Sequence, residues 1–397
     1  MHAKALENNP ALAAKAQEIE AFTKEWIAAH QGSARAAAVT IPVVVHVVHR
    51  GEAVGTGQNI SDAQIQSQFT AANLDFSNTN PDSAVTSLAF YPVVGNTNIQ
   101  FCLAQRDPNG AATNGINRID GLSRFGVGDW ANGTQVDTLL KPATIWDPTK
   151  YLNVWILQFD PSGDDSTTLG YATFPTDHGT NRDGLVFRYR AFGTVGDSLS
   201  SSNSRGRTFT HEVGHYLNLS HIWGDQNCGS DSVADTPPQV NKHYGCPTFP
   251  TGANNTCGSD ANGEMFMNYM DYVDDNCMYM FTKGQGARIL AALNGPRASL
   301  LSSQGCQAPS GIASVDALKL SVYPNPTNGS IHITTAQTIK NGVVELYNAM
   351  GQRVLSESYP NTVSEMTLNV SSLPEGIYTL SLSDLKTKSF TKVILNK

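Results

Sequence analysis

Three histidines and a glutamate crowd into the stretch "RTFTHEVGHYLNLSHIWGD", at His211, Glu212, His215 and His221, in a chain with only ten histidines. His211 and His215 are separated by one helical turn, so on a helix both imidazoles project from the same face. Two neutral ring nitrogens so placed suit a tetrahedral zinc ion. Glu212 follows the first histidine and flanks the position left open, where a carboxylate can take a proton from an attacking water. His221 comes six residues after His215, and a continuous helix would carry it away from that face. Asn218 resolves the conflict: after glycine, asparagine is the residue that most readily takes the left-handed conformation ending a helix. The spacing therefore predicts a helix that stops at Asn218 and a chain that turns back to bring His221 in as third ligand.

Such a site needs a scaffold. The 397 residues leave room for two or three domains. A net charge of −8 offers no basic patch for nucleic acid. The longest apolar runs, such as "IPVVVHVV", are too short to span a bilayer. The opening "MHAKALENNPALAAKAQEIEAFTKEWIAAH" reads as a charged helix without the apolar run of a secretory signal. Residues 1–38 form this helical leader, and residues 39–308 a catalytic domain of mixed α/β (α+β) character with a zinc-binding helix. Within it "TIPVVVHVVHR", "TNIQFCLA", "KYLNVWILQF", "LGYATFP" and "DGLVFRYR" read as strands. "ISDAQIQSQFTAANLDF" reads as a helix with a Ser61/Gln64 capping box and an apolar face of Ile65, Phe69, Ala72 and Phe76. Residues 309–316 are a small-residue linker. In residues 317–397, short alternating stretches separated by turn residues predict a small all-β sandwich.

The six cysteines form no C-x-x-C pair. Four of them lie in the Gly/Asn/Asp/Pro-rich stretch from Asp225 to Cys277, where an even number suits disulfides better than a thiolate metal site.

"HEVGHYLNLSH" resembles the extended zinc signature H-E-x-x-H-x-x-G-x-x-H of metzincin metalloproteases, with asparagine in place of the glycine. "MFMNYMDYVDDNCMYMF" supplies the methionine turn of that group, with Met270 as its methionine. Together with "IPVVVHVVH", "IQFCLAQRDPNG", "LGYATFP", "VADTPPQ" and "YGCPTF", these pieces are similar to the pappalysin family and its bacterial cytophagalysin branch. The resemblance implies a zinc endopeptidase acting on protein or peptide substrates. It implies that Tyr272 hydrogen-bonds the tetrahedral intermediate and that "LGYATFP" is an edge strand to which substrate adds as a further strand. It also implies structural calcium in "GDQNCGSDSVADTP", where Asp225, Asp231, Asp235 and Thr236 are hard oxygen ligands. The implied disulfides are Cys228–Cys257 and Cys246–Cys277, leaving Cys102 with Cys306. Preference for arginine or lysine after the scissile bond is implied as well, set by an acid near the turn after Met270. Asp274 and Asp275 stand there, but Asn276 immediately precedes Cys277, which weakens the preference if the acid belongs at that position.

The C-terminal stretches "VYPNPTNGSIHI", "VELYNAMGQRVL" and "LNVSSLPEGIYTLSLSD" resemble the sorting domain read by the type IX secretion machinery. They imply export to the cell surface or medium as a secreted protein, in keeping with disulfides. Two rival readings are a catalytically dead zinc module used for adhesion and a carbohydrate- or cell-binding sandwich. The intact histidines and Glu212 oppose the first, and the lack of an aromatic platform in residues 317–397 opposes the second. The leader has no cysteine to block zinc, so an inhibitory role would fall to a carboxylate, Glu7, Glu18, Glu20 or Glu25; the equal alternative is a helix that packs on the back of the domain without touching zinc. Self-processing would then fall in "HQGSARAAAV", between Ala34 and Arg35.

Overall fold

The computed structural model describes residues 6–30, 38–82, 89–197, 199–309, 320–349, 351–383 and 388–396. The chain divides into two compact units, residues 1–308 and 309–397. No helix among the described residues is long and apolar enough to cross a membrane.

The first unit is built around β1 (Val39–His49), whose residues Ile41–Val48 are all buried. Burial on both faces explains why this strand reads as a continuous apolar run rather than an alternation. His46 is the polar exception. Its Nε2 meets Asn153 Oδ1 at 3.0 Å, its Nδ1 meets the Asn117 amide at 3.1 Å, and its ring stacks on Trp155. Burial pushes it down to about 4, so it is a neutral core residue. β2 (Ile99–Leu103) and β3 (Ile116–Asp120) both pair parallel with β1, at residues 39–43 and 45–49. β4 (Leu152–Leu157) lies on the other side, and β5 (Gly170–Ala172) and β6 (Leu185–Arg188) complete the order β2-β1-β4-β6-β5. Only β5 runs antiparallel, and it forms one edge of this mixed sheet.

Four helices matter for the site: α1 (Pro10–Ala29), α2 (Asp62–Phe76), α3 (Arg207–Tyr216) and α4 (Lys283–Asn294). On α2 the expected apolar face is buried, and Phe69 packs edge-on against Phe209 of α3. The expected capping box is only half formed. Ser61 accepts from the Gln64 amide, but the Gln64 side chain donates to the Phe192 carbonyl at 2.8 Å instead of returning to Ser61. A long-range partner outcompetes the local one because it satisfies a buried carbonyl. The three disulfides are Cys102–Cys306, Cys228–Cys257 and Cys246–Cys277. The two inside residues 225–277 close separations of 29 and 31 residues, worth about 3–4 kcal/mol each through the unfolded state. That segment holds no strand and only one short 3-10 turn, so it depends on those staples.

The leader helix α1 packs against α4. Lys15 Nζ donates to the Thr176 carbonyl at 2.6 Å, and Arg288 Nη2 donates to Glu20 at 2.7 Å. The Asn218 side-chain Nδ2 donates to Thr23 Oγ1 at 3.3 Å. No leader residue lines the histidine cleft among the described residues. Among the carboxylates named for a capping role, Glu20 is engaged by Arg288, and the described part of the helix packs against α4 and the Asn218 turn, in keeping with the alternative of a helix that packs on the domain without touching zinc. The Ala34–Arg35 bond lies outside the described residues, as does the linker from residue 310 onward.

The second unit is a two-sheet antiparallel sandwich. β7 (Ser321–Tyr323), β8 (Ser330–Ile339), β9 (Gly342–Tyr347), β10 (Arg353–Tyr359), β11 (Val363–Asn369), β12 (Gly376–Ser383) and β13 (Lys388–Leu395) form the orders β10-β9-β12-β13 and β11-β8-β7. Ile331, Ile333, Val344, Leu346, Leu368, Leu380, Leu382 and Val393 form its core.

Candidate metal centre and active site

All ten residues of α3 are buried. The helix ends in a Schellman motif: the Leu219 amide donates to the Gly214 carbonyl at 2.9 Å, and the Asn218 amide to the His215 carbonyl at 3.0 Å. Asn218 takes φ 73°, the left-handed value that the motif requires. The reversal returns His221 to the helix face. His215 Nε2 then lies 3.1 Å from His211 Nε2 and 3.0 Å from His221 Nε2. Nitrogens each ~2.0–2.1 Å from one tetrahedral ion would be roughly 3.3 Å apart, so the three fit zinc closely. Among the described residues no other group of three or more His, Cys, Asp or Glu converges in this way.

The opposite ring nitrogens show that the convergence is built. His211 Nδ1 meets the Tyr269 carbonyl at 2.7 Å, His215 Nδ1 meets the Leu219 carbonyl at 2.8 Å, and His221 Nδ1 contacts Asp225 Oδ1. Each acceptor holds the proton on Nδ1 and leaves the Nε2 lone pair for a metal. Burial, followed by the neighbouring His221, depresses His211 to about 3, so it remains neutral. The floor is Met270, in a turn closed by the Asp271 amide on the Asn268 carbonyl at 3.0 Å. A Cβ at Gly214 would lie 2.4 Å from Met270 Sδ, so any larger residue there would have to displace the methionine side chain beneath the histidines.

Asp225 stands behind the third histidine. Its carboxylate is taken up by His221, while Asp231 accepts from Thr236 Oγ1 and the Val233 amide, and Asp235 accepts from the Gly284 amide. The three carboxylates do not form a cation cluster. Replacing Asp225 with alanine should weaken zinc binding roughly 10–100-fold, the usual effect of losing a carboxylate behind a ligating histidine. Competition with a chelator measures this; unchanged affinity would refute the role.

Glu212 is 7 % exposed, lines the cleft and takes no hydrogen bond from any described residue. Burial alone pushes it up to about 8, and a dication held by the neighbouring histidines would draw it down again. Tyr272 presents its ring 5.5 Å from that of His211 and 4.9 Å from that of His221. Burial and then the Glu212 carboxylate push its phenol above the ordinary value, so its hydroxyl stays a donor. The cleft, of about 740 Å³, runs from Leu169–Ala172 on the edge strand past the histidines to Asn241, Lys242, Tyr244 and Asp274.

Two supports were not legible as site residues. Trp223 stacks on His221 with ring centres 4.3 Å apart and planes 7° apart. At the start of α3, the Arg207 guanidinium contacts Asp75 and meets Tyr269 Oη at 3.0 Å and Asp82 at 2.9 Å. Asp75 and Tyr269 come from distant segments, and nothing local in the sequence marks their meeting with Arg207.

A mixed sheet with an exposed antiparallel edge, a buried H-E-x-x-H helix, a third histidine after a left-handed turn and a methionine beneath them together define a metzincin zinc peptidase. The profile of the family described as pregnancy-associated plasma protein-A matches residues 137–294, and that of the secretion-system C-terminal sorting domain matches residues 321–396. An extracellular metalloprotease of Pyricularia oryzae is 33% identical over 259 residues, covering 65% of this chain and 76% of that protein. One of Arthroderma otae is 31% identical over 268 residues, with 66% and 80% covered. Mature mirolysin of Tannerella forsythia, solved with a cleaved peptide, is 42% identical with a TM-score of 0.60, covering 67% of this chain and 97% of that one. A promirolysin mutant of the same organism is 38% identical with a TM-score of 0.63, with 75% and 94% covered. The chain belongs to the pappalysin family of metalloendopeptidases. It is an extracellular enzyme of a zinc-dependent class, and its C-terminal unit is a sorting domain of type IX secretion.

Proposed function

We propose that the protein hydrolyses peptide bonds with Glu212 as general base, at a zinc ion held by His211, His215 and His221. The observation that carries the proposal is the convergence of three Nε2 atoms, each backed by its own Nδ1 acceptor, beside a buried carboxylate that takes no hydrogen bond from the described residues. Bound zinc would supply Lewis-acid polarisation of the scissile carbonyl and acidify the attacking water. An extended substrate adds to the free edge of β5, which fixes its backbone across the cleft. Glu212 accepts the water proton as the nucleophile attacks, then passes it to the departing amine nitrogen. The Tyr272 hydroxyl donates to the oxyanion as charge develops there.

Asp274 favours a basic side chain after the scissile bond. It lines the cleft, is partly buried and has no ion pair among the described residues. Asp275 is unsuited to that task, because it is buried and accepts from the Arg205 amide at 2.8 Å and the Arg207 amide at 3.2 Å.

Digestion of casein with and without a zinc chelator tests the reaction. Activity should vanish on chelation and return with zinc alone. Recovery that also needs calcium would support the Asp231, Asp235 and Thr236 loop as a calcium site, and activity unaffected by chelation would overturn the metal reading.

A further inference from the structure

The wall of the cleft facing the edge strand carries a second recognition element. Residues 239–246 have no regular structure, yet they are anchored heavily. Cys246 is bonded to Cys277. The Gln239 side chain donates to Asp271 Oδ2 at 2.7 Å, and the His243 amide donates to Asp271 Oδ1 at 2.8 Å. The His243 ring is turned inward between two carboxylates, with Nδ1 2.9 Å from Asp271 and Nε2 2.9 Å from Glu264. Burial works against its charge, but the two carboxylates outweigh this and hold the imidazole above its ordinary value. Asp271 also accepts from the Tyr272 amide at 2.8 Å, so this segment and the proposed oxyanion donor share one anchor.

With His243 turned in, its neighbours Lys242 and Tyr244 are exposed and line the cleft. Lys242 Nζ lies 5.9 Å from the centre of the Tyr244 ring and 5.8 Å from that of Tyr272. Two aromatic faces thus steady an ammonium group without neutralising it. Arg207, the other permanent cation lining the cleft, is consumed by Asp75 and Asp82. Lys242 forms no ion pair among the described residues.

We propose that Lys242 is a subsite for a carboxylate on the primed side of the substrate, beyond the residue that follows the scissile bond. The side is set by the Asp274 amide, which donates to the Gly245 carbonyl at 2.9 Å, and by the Cys246–Cys277 bond. These place the Lys242 segment directly against the Asp274 segment. The assignment rests on the reading that Asp274 receives the side chain after the cut. A fitting substrate is therefore dipolar, with a basic residue after the scissile bond and an acidic side chain or the peptide's own C-terminal carboxylate shortly beyond.

The test uses the full chain and quenched fluorescent peptides with arginine after the cut and aspartate, alanine or lysine at each of the next two positions. The C-terminus is amidated, and one further all-neutral peptide carries a free C-terminal carboxylate. The wild type should favour aspartate over alanine by about three- to fivefold in kcat/KM at one of those positions, the size expected of a partly exposed ion pair, with lysine below alanine. The preference should shrink at high salt. In Lys242→Gln the ratio should fall to near one, and in Lys242→Glu it should invert. The free-carboxylate peptide shows whether a chain end serves in place of a side chain. The arginine-to-alanine ratio at the position after the cut reports on the Asp274 pocket separately, so failure there and failure at Lys242 give different signatures. A ratio near one in the wild type at both positions, an acidic preference confined to positions before the cut, or a ratio unchanged by Lys242→Gln would each overturn the proposal.

Discussion

Replacing Glu212 with alanine should lower kcat/KM by roughly a hundred- to ten-thousand-fold, the contribution of a positioned general base, while zinc content stays at that of the wild type. Glu212 touches none of the Nδ1 acceptors that orient the three histidines, so its removal takes away a proton carrier and no ligand. The carboxylate is also unpaired among the described residues, so truncation breaks no buried ion pair and the fold should survive. Peptidase assay and metal analysis on the same preparation check both halves. Activity within tenfold of wild type would remove Glu212 from the mechanism, and loss of zinc would show that it helps to hold the ion.

Replacing His221 with alanine should have the opposite signature, with metal content falling well below that of the wild type and activity lost because the ion is lost. Asn218 supplies a graded control. Glycine there keeps the left-handed turn freely, so Asn218→Gly should retain zinc. Valine is β-branched and a genuine outlier at positive φ, so Asn218→Val should cost about 1–2 kcal/mol of stability or more and weaken zinc binding, because the turn that returns His221 is strained. Full zinc occupancy in His221→Ala would mean that His211 and His215 suffice. Equal zinc affinity in the glycine and valine variants would break the link between the turn and the third ligand.

These residues also show what sequence pattern makes legible. The active-site helix, its stop at Asn218 and the return of His221 are short-range events, fixed by residues at most ten apart, and they could be read directly. Met270 and the two disulfides of the irregular segment were legible through family resemblance. The Ser61/Gln64 capping box failed because a buried carbonyl more than a hundred residues away competes for Gln64, which local pattern cannot weigh. β3 went unread because "INRID" carries two polar residues and a charge at its end, and only the strand it pairs with makes it a strand. β10 is mostly exposed and lacks an apolar face, so no alternation in the sequence marks it as a strand. The contact of Asp225 with His221 was not legible either, because only the turn that returns the imidazole brings the two together. The Arg207, Asp75 and Tyr269 junction joins three segments that only the completed fold brings together.

The Cys102–Cys306 bond spans 204 residues and encloses both other disulfides, all three histidines, Glu212 and Tyr272. An endopeptidase secreted into its own company is exposed to its neighbours, and its irregular segment from residue 225 to 277 is the natural place for a clip. Any single cut between residues 103 and 305 leaves the two pieces covalently joined; a cut between 229 and 246 or between 257 and 276 is bridged twice, and one between 247 and 256 three times. A clipped molecule would therefore keep its mass and its catalytic groups together, and the break would appear only under reduction. Wear in such a molecule would be a hidden history of backbone breaks carried by intact particles, so how long it outlasts a cut would depend on the oxidising state of the surroundings.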